Sequence, residues 1–516
     1  MPHCRVAVLG AGVAGLLTAR ALQRANLPFT VFETEEGVGG VWRVATHGTS
    51  TQETWRLYQF PEYPFPAHLS ATFTWDGLVP ATTVQQYSED YANDFSLLEH
   101  IRFRTTVVGL ARPGGCERGW LVTSECQGQC RCELFTFVII CLGTFQRPRT
   151  IRFSGEERYQ GTRMVSRDLT LERLQELRGQ RVIVMGGGKS AVDACAAAAE
   201  VAASVHMLFR KAYWWAPRFA FGCIPIDYMI ASRLGVFMAG RQYYTQTRLP
   251  KLIHQLLKPL RWLYGALLQM SLKRQYGLPP ELVPKHTLAQ NAFSNVSTDK
   301  EAFVAALRAK RVTPVLGEVQ QWLERGVQLK DGRDIGCDAF IWAVGYERPY
   351  SCLEDLFPLL GNKAEGFHLY RNLLPVNCED MAFVQGEALT PNAPLTAALQ
   401  AEWLARLLQG KVKLPPKQQM ASEVEAGRKW RLGFMPVNEI FAGRLQNLCQ
   451  GYYDELMTDM GEQPYRKGWA WLREWWQVYT VQDYVDIIDC SKPRHKDQAG
   501  KAKSHEYGNG FHEHEQ

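Results

Sequence analysis

At 516 residues the chain has room for two or three domains, and 46% apolar with 21% charged residues is the balance of a soluble globular protein. A net charge of +6 is too mild at this size to argue for a nucleic-acid partner. The 13 cysteines are dispersed, and their densest group, Cys126, Cys130 and Cys132, lacks a CxxC pair, which excludes a disulfide scaffold and a dithiol reductase and predicts free thiols.

The first predicted strand begins by residue 5, which leaves no room for a signal peptide ahead of it. Residues 5–33 predict strand, tight turn, helix, strand: VAVLG is a continuous apolar run, VAGLLTARALQRA a helix and FTVFE a second strand. FTFVIICLG (135–143) predicts a further buried strand ending at glycine. Residues 181–211 repeat the opening unit as RVIVMG, KSAVDACAAAAEVAA and VHMLFR. Residues 219–285 predict a helical insertion rich in Leu, Met, Trp and basic residues, in which Pro259 should divide or kink a helix. DAFIWAVGY (338–346) is another strand ending near glycine, and LTAALQAEWLARLLQG predicts an amphipathic helix closed by Gly410. From residue 491 the chain is polar; His505, His512 and His514 read as a solvated tail rather than a metal site. No apolar run reaches about 18 residues, so no membrane-spanning helix is expected and a cytoplasmic location is the default. Alternating strands and helices predict an α/β protein with doubly wound parallel sheets.

In GAGVAG, Gly10 permits the tight turn, Gly12 lets a pyrophosphate approach the backbone, and Gly15 lets the helix pack on the strand. Glu33, about 20 residues on at the end of the next strand, can accept ribose hydroxyls. The second turn carries Gly186 and Gly188, with Ala191 at the third position. Where the first unit has Glu33, the second has Arg210 followed by Lys211. A carboxylate there would repel a 2′-phosphate, whereas a guanidinium can hold it by two parallel hydrogen bonds. The pair of cofactors this implies is FAD at the first turn and NADPH at the second, with hydride passing between them.

Further stretches resemble the class B flavin-containing monooxygenases, in particular their plant-type branch. EEGVGGVWR (35–43) is similar to the GGxW segment beside the first nucleotide site, and QETWRLYQFPEYPFP (52–66) to the branch's QTPxxxYxFSDFPWP. WAVGY (342–346) matches the family's ATGY strand, LQAEWLARLLQG (399–410) its ELQARW helix, and YYDELMTDMGEQPYRKG (452–468) a C-terminal element. YQGTRMVSRDL (159–169) falls where the fingerprint FxGxxxHxxxF/Y belongs; Gly161 is kept, but Tyr159, Val165 and Leu169 replace Phe, His and the final aromatic.

The resemblance implies two Rossmann-like dinucleotide domains, the NADPH domain inserted into the FAD domain. The expected division is residues 1–165 and 335–415 for the FAD domain, 166–334 for the NADPH domain with its insertion at about 219–285, 416–490 for a helical C-terminal region and 491–516 for the tail. It also implies the chemistry: NADPH reduces the flavin, the reduced flavin captures O2 as a C4a-hydroperoxide, and a small-molecule soft nucleophile, an amine or a thioether, takes one oxygen atom. No protein nucleophile is needed. Gln52 is placed by the resemblance as the catalytic amide near the flavin, Gly40 and Trp42 beside it, Ser190 at the pyrophosphate of NADPH, and Gln400 on the helix that closes the flavin site. Three alternatives stay open: Baeyer–Villiger oxygenation of ketones, an oxidase releasing H2O2, and a non-catalytic flavin-binding interaction protein. Residues 250–278, basic and apolar together, either lie on a membrane surface or pack over the substrate channel.

Overall fold

The computed structural model describes residues 4–45, 48–74, 76–114, 118–239, 248–288, 297–298, 301–347, 350–362, 366–386, 392–432, 449–468 and 471–489. The expected polar tail lies outside them.

Two five-stranded parallel sheets organise the chain. In the first, the order across the sheet is Met381–Phe383, Phe137–Ile140, Val6–Leu9, Phe29–Phe32, Ile101–Arg102. Its central strand, Val6–Leu9, is buried on both faces, as a continuous apolar run requires. In the second, the order is Thr162–Val165, Ala339–Trp342, Arg181–Met185, Ser204–Phe209, Val312–Leu316. In both, the strand that leads into the glycine turn is flanked on one side by the next strand in sequence and on the other by a strand that returns much later. That junction is the switch point at which doubly wound sheets open a crevice for ligands.

The duplication runs further than the two glycine turns. Each half inserts a three-stranded antiparallel meander just before the returning strand: Thr106–Ala111, Trp120–Cys126 and Gln129–Phe135 in the first, Val319–Leu323, Gly326–Leu329 and Asp334–Gly336 in the second. The chain crosses between halves twice, and the two crossings pair as an antiparallel ribbon, Arg147↔Glu347 and Pro148↔Tyr346.

Thr162–Val165 and Ala339–Trp342 both belong to the second sheet, with Val182 facing Ala339. A buried apolar strand carries no mark of which sheet it will join, so its periodicity could not place it.

The helix Val13–Arg24 packs against Ala393–Leu408, where Ala21, Ala401 and Ala405 let the two backbones approach. The expected amphipathic character of that second helix is not what folds: every residue from Pro394 to Ala405 is buried. Tyr452, Tyr453, Leu456, Met457, Tyr484 and Ile487 cover its other side and join the same core as Val6, Val8 and Leu16. Gly410, at φ +74°, ends the segment as expected.

In the insertion, one helix runs Arg248–Leu256 and the next Lys258–Tyr276, with Pro259 in its first turn. The division falls where proline can sit without losing a backbone hydrogen bond.

Candidate active site

Both glycine turns are close-packed by backbone. Gly10 has φ +102°, and a Cβ there would lie 2.8 Å from the Cys141 carbonyl oxygen, just past the returning strand. A Cβ on Gly15 would lie 1.9 Å from the carbonyl oxygen of Gly10. Gly12 faces Gly40, whose added Cβ would meet the Gly12 Cα at 3.1 Å. The Gly39 N–H donates to the Ala11 carbonyl at 3.1 Å and holds these two strips of bare backbone together. Gly12 caps the helix Val13–Arg24 without a side chain, so the helix start presents backbone N–H groups to an anion. This glycine-lined cradle fits a dinucleotide pyrophosphate.

Glu33 is buried at the end of Phe29–Phe32 and accepts the N–H of Ala11 at 2.6 Å and of Glu35 at 2.9 Å. Burial pushes its carboxyl up, and these amides pull it back down. Each oxygen keeps a further lone pair for a ribose hydroxyl. The carboxylate therefore also braces the turn, a task the sequence pattern does not reveal.

The second turn repeats the design. Gly186, at φ +147°, stands where a Cβ would lie 2.1 Å from the Ala343 carbonyl oxygen, the counterpart of Cys141. Gly188 caps the helix Lys189–Val201 without a side chain, and a Cβ there would enter open space. Ser190 is half-buried in the first turn of that helix. Lys189 pairs with Asp193, which also lies 3.4 Å from the Thr49 hydroxyl of the first half. Arg210 is exposed just beyond Ser204–Phe209. Lys211 turns its carbonyl toward Gly187, and its ammonium lies 5.8 Å from the Tyr213 ring centroid. This cradle also fits a dinucleotide, with cations rather than an acid beside it.

Between the turns runs the strand Ser50–Thr54, whose alternation leaves Gln52 exposed and buries Thr51 and Glu53. Glu53 accepts the Asn392 N–H at 2.7 Å, at the start of Ala393–Leu408. Burial is the main cause that pushes the Glu53 carboxyl up to about 8, with the charge of Asp227 adding to it. Thr54 donates its hydroxyl to Asp227 at 2.7 Å. Trp42 donates its ring N–H to the Tyr58 hydroxyl at 2.7 Å, with the two rings edge-on. Gln400 is fully buried; its oxygen accepts from the Gln385 N–H at 2.9 Å and its amide donates to the Tyr452 hydroxyl at 2.8 Å. These bonds tie the helix to the end of Met381–Phe383 and to the C-terminal region.

Gly40, Trp42 and Gln52 thus lie in the segment between the first turn and the seam with the second half. Glu53, Asp227 and Asn392 were missed. The one signal available was an acid in QET, where the similar stretch has Thr. In the fingerprint segment, a Cβ on Gly161 would lie 2.2 Å from the Tyr159 hydroxyl and 2.4 Å from the Asp338 carbonyl oxygen, so packing alone demands that glycine. Val165 and Leu169 are apolar contributors to the second half's cores.

The sequence profile of the Flavin-binding monooxygenase-like family matches residues 3–465. Among curated proteins the chain is similar to Flavin-containing monooxygenase 5 of Mus musculus, 27% identical over 482 residues covering 90% of this chain and 83% of that one. It is likewise similar to Probable flavin-containing monooxygenase 1 of Arabidopsis thaliana, 28% identical over 530 residues and covering 93% and 96%. Among solved structures, OTEMO in complex with FAD and NADP shares the fold, with a TM-score of 0.62 at 17% identity over 82% of this chain and 91% of that one. With a glycine cradle in each of its two parallel sheets and a family profile that spans most of its sequence, the chain belongs to the flavin-binding monooxygenase-like family and is a flavin-dependent oxidoreductase.

Proposed function

We propose that the protein is a monooxygenase that uses FAD and NADPH to place one oxygen atom of O2 on the nitrogen or sulfur of a small soft nucleophile. The observation that carries this reading is the pair of glycine cradles, each at the switch point of its own parallel sheet, one with Glu33 and the other with Arg210 and Lys211 beside it. Gly10, Gly12, Gly15 and Glu33 would hold the FAD adenosine and pyrophosphate, with Gly40 leaving room across the turn. Gly186, Gly188 and Ser190 would take the NADPH pyrophosphate, and Arg210 and Lys211 its 2′-phosphate. When bound, the two cofactors supply hydride transfer and activation of O2.

The chain's own residues orient and exclude water. The bond between Trp42 and Tyr58 fixes the indole beside the strand that carries Gln52, and the exposed Gln52 amide offers both a donor and an acceptor to the reacting atoms. Gln400, in this reading, steadies the closing helix instead of touching the flavin.

Oxygen balance tests the proposal. With a tertiary amine or a thioether present, one NADPH and one O2 should be consumed for each oxide formed, with little peroxide. Peroxide equal to the NADPH consumed, whatever is added, would overturn the reading in favour of an oxidase, and lactones or esters from ketones alone would assign Baeyer–Villiger chemistry.

We infer that the same molecule works from the cytosol against a lipid surface. No helix among the described residues is long and apolar enough to cross a membrane. Yet Arg248–Leu256 and Lys258–Tyr276 expose Leu249, Leu252, Leu256, Leu260 and Leu263, and Trp262 is 72% exposed. No Asp or Glu occurs between Asp227 and Glu281, while Arg248, Lys251, Lys258, Lys273 and Arg274 do. Apolar side chains on a cationic, acid-free surface suit an anionic bilayer, which favours this over packing across the substrate channel. The protein should co-sediment with phosphatidylserine-containing vesicles, and Trp262→Ser with Leu256→Ser should weaken that binding roughly tenfold or more. Absence of binding at low salt would refute it.

A further inference from the structure

The seam between the two halves holds two buried acids that the oxygenation does not call for. Glu53 reaches it from the strand Ser50–Thr54, and Asp227 from the insertion. They are 8% and 5% exposed. One oxygen of Glu53 takes the Asn392 N–H, and one oxygen of Asp227 takes the Thr54 hydroxyl. The other oxygen of Asp227, Oδ1, is buried with no hydrogen-bond partner among the described residues.

The groups facing this pair are few. From the helix Trp55–Tyr58 come the Tyr58 hydroxyl, already bonded by Trp42, and the exposed Arg56, whose charge acts on Asp227. From Ala393–Leu408 comes only the Asn392 N–H. Asp227 also raises Glu53. No described lysine or arginine bonds either acid. Two ionised carboxylates in such a place are costly, because burial removes their hydration and each repels the other.

We propose that Glu53 is a positioning residue for the oxygenation and works as a neutral acid opposite Asp227, so that the seam never carries two charges while it is closed. Three consecutive residues make the geometry meaningful. Gln52 is open to the site, Glu53 ties its strand to the first half's closing helix, and Thr54 ties it to the insertion. Ionisation of Glu53 sets a second negative charge beside Asp227; the Asn392 N–H favours the charged form but offsets only part of the lost hydration, and the repulsion loosens the seam and with it Gln52. The sign follows from burial: the folded value lies above that of a free glutamate. The contribution of this position is therefore fully present below the free value and is lost as pH rises through about 8. The inference rests on the reading that Gln52 faces the reacting atoms.

The test uses the holoenzyme across that pH range, with two readouts: hydrogen exchange of peptides covering 50–54 and 227–232, and the fraction of NADPH flux lost as peroxide. In the wild type, protection should fall and the peroxide fraction should rise together, with a midpoint near 8. Glu53→Gln, which cannot ionise, should show neither change there. Asp227→Asn, which removes the neighbouring charge, should move the wild-type midpoint to lower pH. Identical profiles for the wild type and Glu53→Gln would overturn the proposal; should that variant fail to fold, an unmoved midpoint in Asp227→Asn would do so. An exchange midpoint near 8 in an enzyme whose peroxide equals the NADPH consumed at every pH would keep the neutral-acid clamp and refute the oxygenation reading instead; a midpoint near 8 with a small, pH-independent peroxide fraction would overturn the positioning role of Glu53.

Discussion

Gly15→Ala should yield a protein that retains little or no flavin. The added methyl would sit 1.9 Å from the backbone oxygen of Gly10, so no rotamer change relieves it. The helix Val13–Arg24 would have to lift from Val6–Leu9, yet its far side is pressed against Ala393–Leu408 through Ala21, Ala401 and Ala405. Overpacking of this kind costs roughly 1–3 kcal/mol or more, and it falls on the turn that would cradle the pyrophosphate. The flavin-to-protein absorbance ratio and the Tm measure both consequences. Gly186→Ala should do equal damage to the second half, because φ +147° and 2.1 Å to the Ala343 carbonyl oxygen both oppose a side chain. Gly188→Ala is the contrast: its methyl enters open space, so Tm should stay near the wild type. A Gly15→Ala protein with full flavin content would remove the first turn from the cofactor assignment.

Arg210→Ala should lower the preference for NADPH over NADH by about 10–100-fold, the worth of charge-assisted hydrogen bonds to a phosphate. Arg210 is exposed at the end of Ser204–Phe209, next to the second glycine turn. Anaerobic flavin reduction by each coenzyme reads the effect without the oxygen chemistry. The rate with NADH should move far less than the rate with NADPH. Should the preference persist, Lys211 is the next residue to remove, since its carbonyl already faces Gly187 across the turn.

The two strand–turn–helix units were legible because three physical demands coincide in a short stretch: a fully buried strand, a turn with no room for Cβ, and a helix start without a side-chain cap. The returning strands at Phe137–Ile140 and Ala339–Trp342 were also visible as apolar runs. Their sheet membership was not, because hydrogen-bond pairing between segments more than 150 residues apart leaves no local trace. The meanders escaped for a related reason. Gln129–Phe135 is exposed over most of its length, so it carries no core signature, and CQGQCRC reads as a cysteine cluster before it reads as a hairpin.

Within the candidate site the same limit decides which residues could be found. Glu33 was placed by its distance from the glycines, but its bonds to the Ala11 and Glu35 amides depend on how the turn closes. Gln400 lies on a helix expected to have an open face, and tertiary packing left it none. Glu53 and Asp227 are 174 residues apart in sequence and share a seam only because Asp227, from the insertion, bonds Thr54, the residue after Glu53. Each looks like an ordinary surface acid until burial is known.

In the proposed function, electrons pass from a nicotinamide held at the second turn to a flavin held at the first. Addition of NADPH to the purified protein under anaerobic conditions tests it most directly. The purified protein should be yellow, and its flavin absorbance should bleach on mixing, faster with NADPH than with NADH. A protein that purifies without flavin and cannot be loaded with FAD, or one whose bound flavin stays oxidised under NADPH, would contradict it.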